Sequence, residues 1–266
     1  MDWVWIRGLG RESRHWNDLP QWGAAQLDAR IRSVDLPGFG QHTDKAAPLR
    51  LEDNVATVRR TEAPRGRRRI VLGHSLGGMV ALAWALHFPE EIQGLVLVNT
   101  SLANLSSPQQ RMRPDALGEI FRVLQIKDPA EREARILRLI ANNEAARRAH
   151  HQHWAELAAV STARRRDVLR QMVAAAGFMP QRQLLKQLGC TLPIQVLYGQ
   201  GDRLVDPSCS LRLADALGCP VVGHPGAGHD IAIDAKTWFI EQLKRFQASI
   251  PLVADERSGA AGASKP

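Results

Sequence analysis

Ile70 to Trp84 reads IVLGHSLGGMVALAW, and the fold turns on how this stretch is divided. The run RIVLG (69–73) is short, apolar and β-branched; from Gly77 the residues are apolar helix formers. The first half predicts a buried strand and the second a helix. Between them lies Gly73-His74-Ser75-Leu76-Gly77, a G-x-S-x-G spacing. A strand-to-helix turn that tight holds its serine in strained geometry, and the flanking glycines admit neighbours that a Cβ would block. The helix N-terminus behind the serine favours developing negative charge. Ser75 is thus a candidate nucleophile, although the pentapeptide alone is also compatible with a small residue at a bend. His74 invites the role of base, but adjacent residues at such a turn point apart, so a structural role is expected.

Outward from this turn the chain alternates. WVWI (3–6), IRSVDL (31–36) and LVLVN (95–99) read as further buried strands, with helices expected over 13–28, 51–62 and 77–87. Brief apolar strands alternating with helices predict βαβ units on a parallel sheet. After Asn99 the pattern changes. From about Pro108 to Leu188 no strand-like run appears, and apolar residues recur at helical spacing, as in Ile120, Phe121, Leu124 and Ile136, Leu137, Leu139, Ile140. Strands return with IQVLYG (194–199) and, more weakly, PVVGH (220–224), with helices over about 208–217 and 235–248. The expectation is a parallel sheet interrupted by an all-helical insertion. The segment 254–266, small, polar and Gly-rich, reads as disordered.

A serine hydroxyl is a poor nucleophile at neutral pH and needs a base. Asp202 follows the strand IQVLYG and His229 follows PVVGH in a Gly-rich loop. Both therefore fall at carboxyl ends of strands, where an open α/β sheet gathers its site. Ser75, Asp202, His229 is the order serine, acid, histidine, one of several in which such triads occur. Asp206 and Asp230 are rival acids and His224 a rival base.

Four motifs together resemble the α/β-hydrolase superfamily over about residues 1–248: DLPGFG at 35–40, GHSLGG at 73–78, GxxD followed by LV at 199–205, and GAGH at 226–229. The resemblance implies an α/β-hydrolase fold, mostly parallel and flanked by helices, with Ser75, Asp202 and His229 as the catalytic residues. It divides the chain into a core over 1–103 and 187–250 and a helical cap over 104–186. Asp202 is preferred among the acids because it occupies the family's position after the strand. The oxyanion hole would use the backbone N–H groups of Leu9 and Leu76. There the chain departs from the pattern, with Arg7 where a histidine is usual, and a staple to an acidic neighbour is one reading. Trp16 is taken as packing. No counterpart of the family's leading β-hairpin precedes WVWI in this sequence, so the expectation is either a sheet without its first two strands, which would bring that strand nearer an edge, or a true start that lies upstream.

A serine nucleophile disfavours haloalkane dehalogenase chemistry and leaves esters, thioesters, lactones and carbon–carbon bonds as substrates. No cofactor is expected. Phe121, Leu124 and Met172 are candidate pocket residues in the cap, with simple helix core as the alternative. His150, His151 and His153 cluster in sequence, yet neighbouring helical positions diverge, and no metal site is expected. A non-catalytic, ligand-binding member of the superfamily is a separate possibility.

The chain carries a formal charge of +8. Asn104 to Lys186 holds fifteen Lys/Arg against eight Asp/Glu, so nearly all of the excess lies there. DLPGFG and GHSLGG also resemble bacterial esterases acting on the methyl ester of pimeloyl-acyl carrier protein, which implies an acidic carrier as partner for the basic cap. Solvated arginines on helix faces are the plainer reading, and no finger, RNP or helix-turn-helix pattern supports nucleic acid. Three cysteines without a CxxC pair fit reduced thiols. With no long apolar run and no secretory start, a cytoplasmic protein with no membrane association is expected.

Overall fold

The structure is a computed structural model that describes residues 1–61, 68–161 and 163–251; the expected disordered tail over 254–266 lies outside the described residues. The chain runs β1 (Asp2–Ile6), α1 (Leu19–Leu27), β2 (Arg30–Val34), α2 (Asp53–Thr61), β3 (Arg69–His74), α3 (Leu76–His87) and β4 (Ile92–Val98). Among the described residues six helices then follow without a strand: α4 (Pro108–Arg111), α5 (Pro114–Gln125), α6 (Pro129–Ile140), α7 (Glu144–Val160), α8 (Arg165–Gly177) and α9 (Arg182–Thr191). The chain then completes β5 (Ile194–Gly199), α10 (Ser208–Leu217), β6 (Val221–His224), α11 (Ile231–Asp234) and α12 (Lys236–Ser249).

The strands form one six-stranded sheet in the order β2-β1-β3-β4-β5-β6, and every described pairing is parallel. Because side chains alternate across a strand, each strand feeds two cores. Val4, Ile6, Val71, Leu95 and Leu97 face α2, α3, α9 and α10. Trp3, Trp5, Ile70, Leu72 and Val96 face α1 and α12. This accounts for the continuous apolar runs, since strands covered on both faces have no polar side to alternate. α3 is buried along Leu76–Ala85, so its apolar residues extend around the whole helix.

WVWI lies one strand in from an edge of the sheet, as expected, and β1 is nevertheless paired on both sides, by β2 and β3. The edge is β2, whose RIRSV alternates between exposed and covered positions; its charged residues blunt it against pairing with other chains. The proposed division at 186/187 falls inside α9. Leu185 and Leu188 of that helix pack with Leu213 and Leu217 of α10, and Ala174 and Phe178 at the end of α8 join the same core. Helical spacing alone does not tell which layer a helix covers. A third cluster binds Ala116, Leu137, Ile140, Trp154 and Leu157 from α5 to α7 against Leu204 and Val205 after β5, which places these helices over the carboxyl end of the sheet.

Candidate active site

Ser75 sits at the junction of β3 and α3 with φ 55° and ψ −117°. That left-handed φ is costly for a residue with a Cβ and is held by the surroundings: the Ser75 N–H donates to the Val98 carbonyl at 2.7 Å. The approach of α3 explains the glycines. A Cβ on Gly77 would meet the carbonyl oxygens of Ile6 and, at 2.5 Å, Arg7, while one on Gly78 would strike the Thr100 hydroxyl.

Asp202 follows β5 and is buried. Its Oδ1 accepts the N–H groups of Leu204 at 2.8 Å and Val205 at 2.9 Å, and its Oδ2 accepts from His229 Nδ1 at 2.7 Å. His229 lies between β6 and α11 and is 3% exposed. With Nδ1 committed to Asp202, Nε2 is the free ring nitrogen. Ser75 and His229 line the same cavity, but no hydrogen bond joins their side chains among the described residues. Such contacts are often long in unliganded enzymes and tighten around substrate.

The rivals are engaged elsewhere. Asp206 accepts the Ser208 N–H at 3.0 Å and lies 3.5 Å from Arg113. His224 Nδ1 accepts the N–H groups of Gly226 and Ala227. Asp230 Oδ2 is 2.6 Å from Arg7 Nη2, so the acidic neighbour considered for Arg7 is the residue directly after His229. The Arg7 guanidinium also lies 4.4 Å from the Trp16 ring centre. Burial by itself would raise the Asp230 carboxyl, but Arg7, helped by His74 and His229, outweighs it and holds the group at about 2. His74 turns away from Ser75, and its Nε2 donates to the His229 carbonyl at 2.8 Å. Burial, aided by nearby His229 and Arg7 against the pull of Asp230, pushes the His74 imidazole down to about 3, so it is neutral at physiological pH.

The loop Gly8-Leu9-Gly10 runs beside the serine, close enough that a Cβ on Gly8 would sit 3.1 Å from Ser75 Cβ. Leu9 lines the cavity, and the next amide, Gly10 N–H, donates to Gln171 Oε1 of α8 at 2.9 Å. Leu76 is the first residue of α3, where N–H groups have no partner within the helix.

The cavity over Ser75 has a volume of about 440 Å³. Its apolar wall includes Ile120, Val123 and Leu124 of α5 and Ile136, Leu139 and Ile140 of α6. Of the expected pocket residues only Leu124 lies on this wall. Phe121 is 48% exposed: α5 turns its 120, 123 and 124 positions inward, and residue 121 falls outside that arc. Met172 lies one turn beyond Val168, an α8 residue that lines the cavity, and does not line it itself. Exposed Lys127, Arg164 and Arg165 also line the cavity, at its open rim, and form no ion pair among the described residues. His151 Nε2 donates to the Ala130 carbonyl at 2.8 Å, and among the described residues no group of three metal-ligating side chains forms. No described helix is long and apolar enough to cross a membrane. Asn99 and Gln171 had no sequence signal as site residues, Asn99 reading only as the end of LVLVN; Arg7 stood out as a departure from the family pattern and Asp230 as a rival acid, but no local pattern joined the two.

The chain is similar over 264 residues to the pimeloyl-[acyl-carrier protein] methyl ester esterase of Edwardsiella ictaluri, at 30% identity covering 97% of this chain and 94% of the relative. A Yersinia enterocolitica protein of the same description is 27% identical over 235 residues, covering 77% and 82%. Among solved structures, the esterase RhEst1 from Rhodococcus sp. ECU1013 superposes with a TM-score of 0.74 at 19% identity, covering 94% of this chain and 91% of that one, a likeness of fold. The sequence model of the alpha/beta hydrolase family matches residues 3–242, and to that family this chain belongs.

Proposed function

We propose that this protein hydrolyses carboxylic esters, or the related thioesters, of small apolar acyl groups through a Ser75–His229–Asp202 triad. The observation that carries this reading is the buried 2.7 Å bond between Asp202 and His229 Nδ1, with the other ring nitrogen free and Ser75 on the same cavity. In the proposed reaction Ser75 Oγ attacks the ester carbonyl while His229 Nε2 takes its proton. Asp202 keeps the ring oriented and stabilises the imidazolium. The N–H groups of Leu9 and Leu76 receive the oxyanion; one such donor is worth about 10²- to 10³-fold in rate. His229 returns the proton to the departing alcohol, then activates water to release the acid. The helices α5 to α7 and the start of α8 form the roof over the acyl group. Ser75→Ala is expected to lower turnover of p-nitrophenyl butyrate by at least about 10³-fold with an unchanged circular dichroism spectrum. Retained turnover would sink Ser75 as the nucleophile, whereas failure of a fluorophosphonate probe to label the unaltered protein would favour a ligand-binding member of the family.

A narrower reading takes the methyl ester of a pimeloyl-type acyl chain on an acyl carrier protein as substrate. It is favoured by the rim cations Lys127, Arg164 and Arg165, which form no ion pair among the described residues, around an apolar cavity and by the names of the relatives. Carrier-bound methyl pimelate should then be hydrolysed more efficiently than free dimethyl pimelate, with the preference lost on Arg164→Glu/Arg165→Glu. Equal efficiency on both substrates would set this reading aside.

A further inference from the structure

We infer that Asn99 is a positioning residue for His229, tying the loop that carries the base to the turn that carries its acid. The inference rests on the triad reading above. Asn99 is 2% exposed and stands at the end of β4 with φ 47°. Its Oδ1 accepts the Gly199 N–H at 2.9 Å, three residues before Asp202. Its Nδ2 donates to the Gly228 carbonyl at 3.2 Å and to the His229 carbonyl. The His229 carbonyl thus receives two donors, since His74 Nε2 reaches it at 2.8 Å.

The consequence for the imidazole is geometric. The ring is held at Nδ1 by Asp202, and the peptide from which it springs is held by Asn99 and His74. With both ends fixed, the direction of Nε2 is set before substrate arrives. The neighbours of Asn99 do the same for the nucleophile: Val98 accepts the Ser75 N–H at 2.7 Å, and the Thr100 hydroxyl donates to the Ser75 carbonyl at 3.3 Å. Val98-Asn99-Thr100 is therefore one corner from which the serine backbone, the acid turn and the histidine loop are all spaced. The left-handed φ suits the role, because asparagine tolerates that region and from there its short side chain reaches two loops.

Asn99→Asp separates the halves of the contact. It tolerates the same φ and keeps an acceptor for Gly199, but loses the donor to the His229 carbonyl. Asn99→Gly keeps the backbone conformation and removes both halves. A misplacement of about 1 Å costs about 10²-fold, so kcat for p-nitrophenyl butyrate is expected to fall about 10- to 100-fold in each variant with KM nearly unchanged. Fluorophosphonate labelling should slow in parallel, and the low-field proton resonance of the His229–Asp202 hydrogen bond should broaden or shift. A folded Asn99→Asp protein with unaltered kcat and resonance would overturn the inference. Should neither variant fold, the unaltered protein still decides: slow exchange of the Asn99 side-chain amide protons supports the contact, and exchange at the solvent rate refutes it. If the unaltered protein fails to label, the triad reading has failed; if it labels and the variants label equally fast, only the role of Asn99 has.

Discussion

Arg7 lies almost wholly out of solvent, its guanidinium bonded to Asp230 and stacked on Trp16. Removing one partner of a buried pair strands the other charge, at a cost of about 3–5 kcal/mol, whereas replacing both is far milder. Arg7→Met should therefore lower the unfolding free energy by about that amount in urea titrations, and adding Asp230→Asn should recover part of the loss. A double variant as unstable as the single would show that the ion pair is not the cause. At this scale Ser75, Asp202 and His229 were legible as candidates, because the proposed chemistry needs particular residue types beside particular strand ends. Asn99 and Gln171 were not, since an amide that spans from one loop to another leaves no mark in the chain near it.

One side chain ties the helices over the sheet to the loop after β1. Trp154 of α7 is fully buried, donates from Nε1 to Asn17 Oδ1 at 3.1 Å, and packs on the Arg11 guanidinium at 4.5 Å and edge-on to His15. Arg11 in turn reaches Glu133 of α6 at 2.7 Å. Trp154→Ala should destabilise by about 3–5 kcal/mol. Trp154→Phe, which keeps most of the packing and loses the hydrogen bond, should cost only about 1–2 kcal/mol. Urea midpoints measure both, and a Trp154→Ala protein as stable as the parent would mean that α7 is held by other contacts. The elements themselves were legible from periodicity: α5 and α6 show their inward faces in the spacing of their apolar residues. Where one amphipathic helix packs was not, and so the expected boundary at 186/187 cuts through α9 and Phe121 does not line the cavity expected for it.

Across the whole molecule, buried neutral histidines set the response to acid. Burial, with Arg11 and Arg7 nearby, pushes His15 well below its ordinary value, and burial takes His74 to about 3. Their unfolded forms protonate near 6.5 while the folded forms do not, so the unfolded chain binds more protons below that pH. Stability should be level above pH 7 and fall as the pH drops below about 6.5, by about 1.4 kcal/mol per pH unit for His74 down to about 3, with His15 adding to the fall in the same direction. Asp230 acts in a lower window, its contribution present above about pH 4 and lost as the pH falls through about 2. Urea unfolding between pH 5 and 8 tests this, with His74→Gln expected to flatten the slope. An unchanged slope in that variant would exclude His74 as a source.

By itself the sequence determined the parallel α/β architecture, the helical segment above it and the three residues of the candidate triad. These are written in local period, in turn chemistry and in the order of residues at strand ends. Only the tertiary structure decided that β1 lies inside the sheet, that α9 belongs to the sheet layer, that Arg7 answers Asp230, and that Asn99 joins two loops. Each of these is a contact between segments distant along the chain, fixed by how layers stack and which buried polar groups then need partners, and no local pattern encodes that.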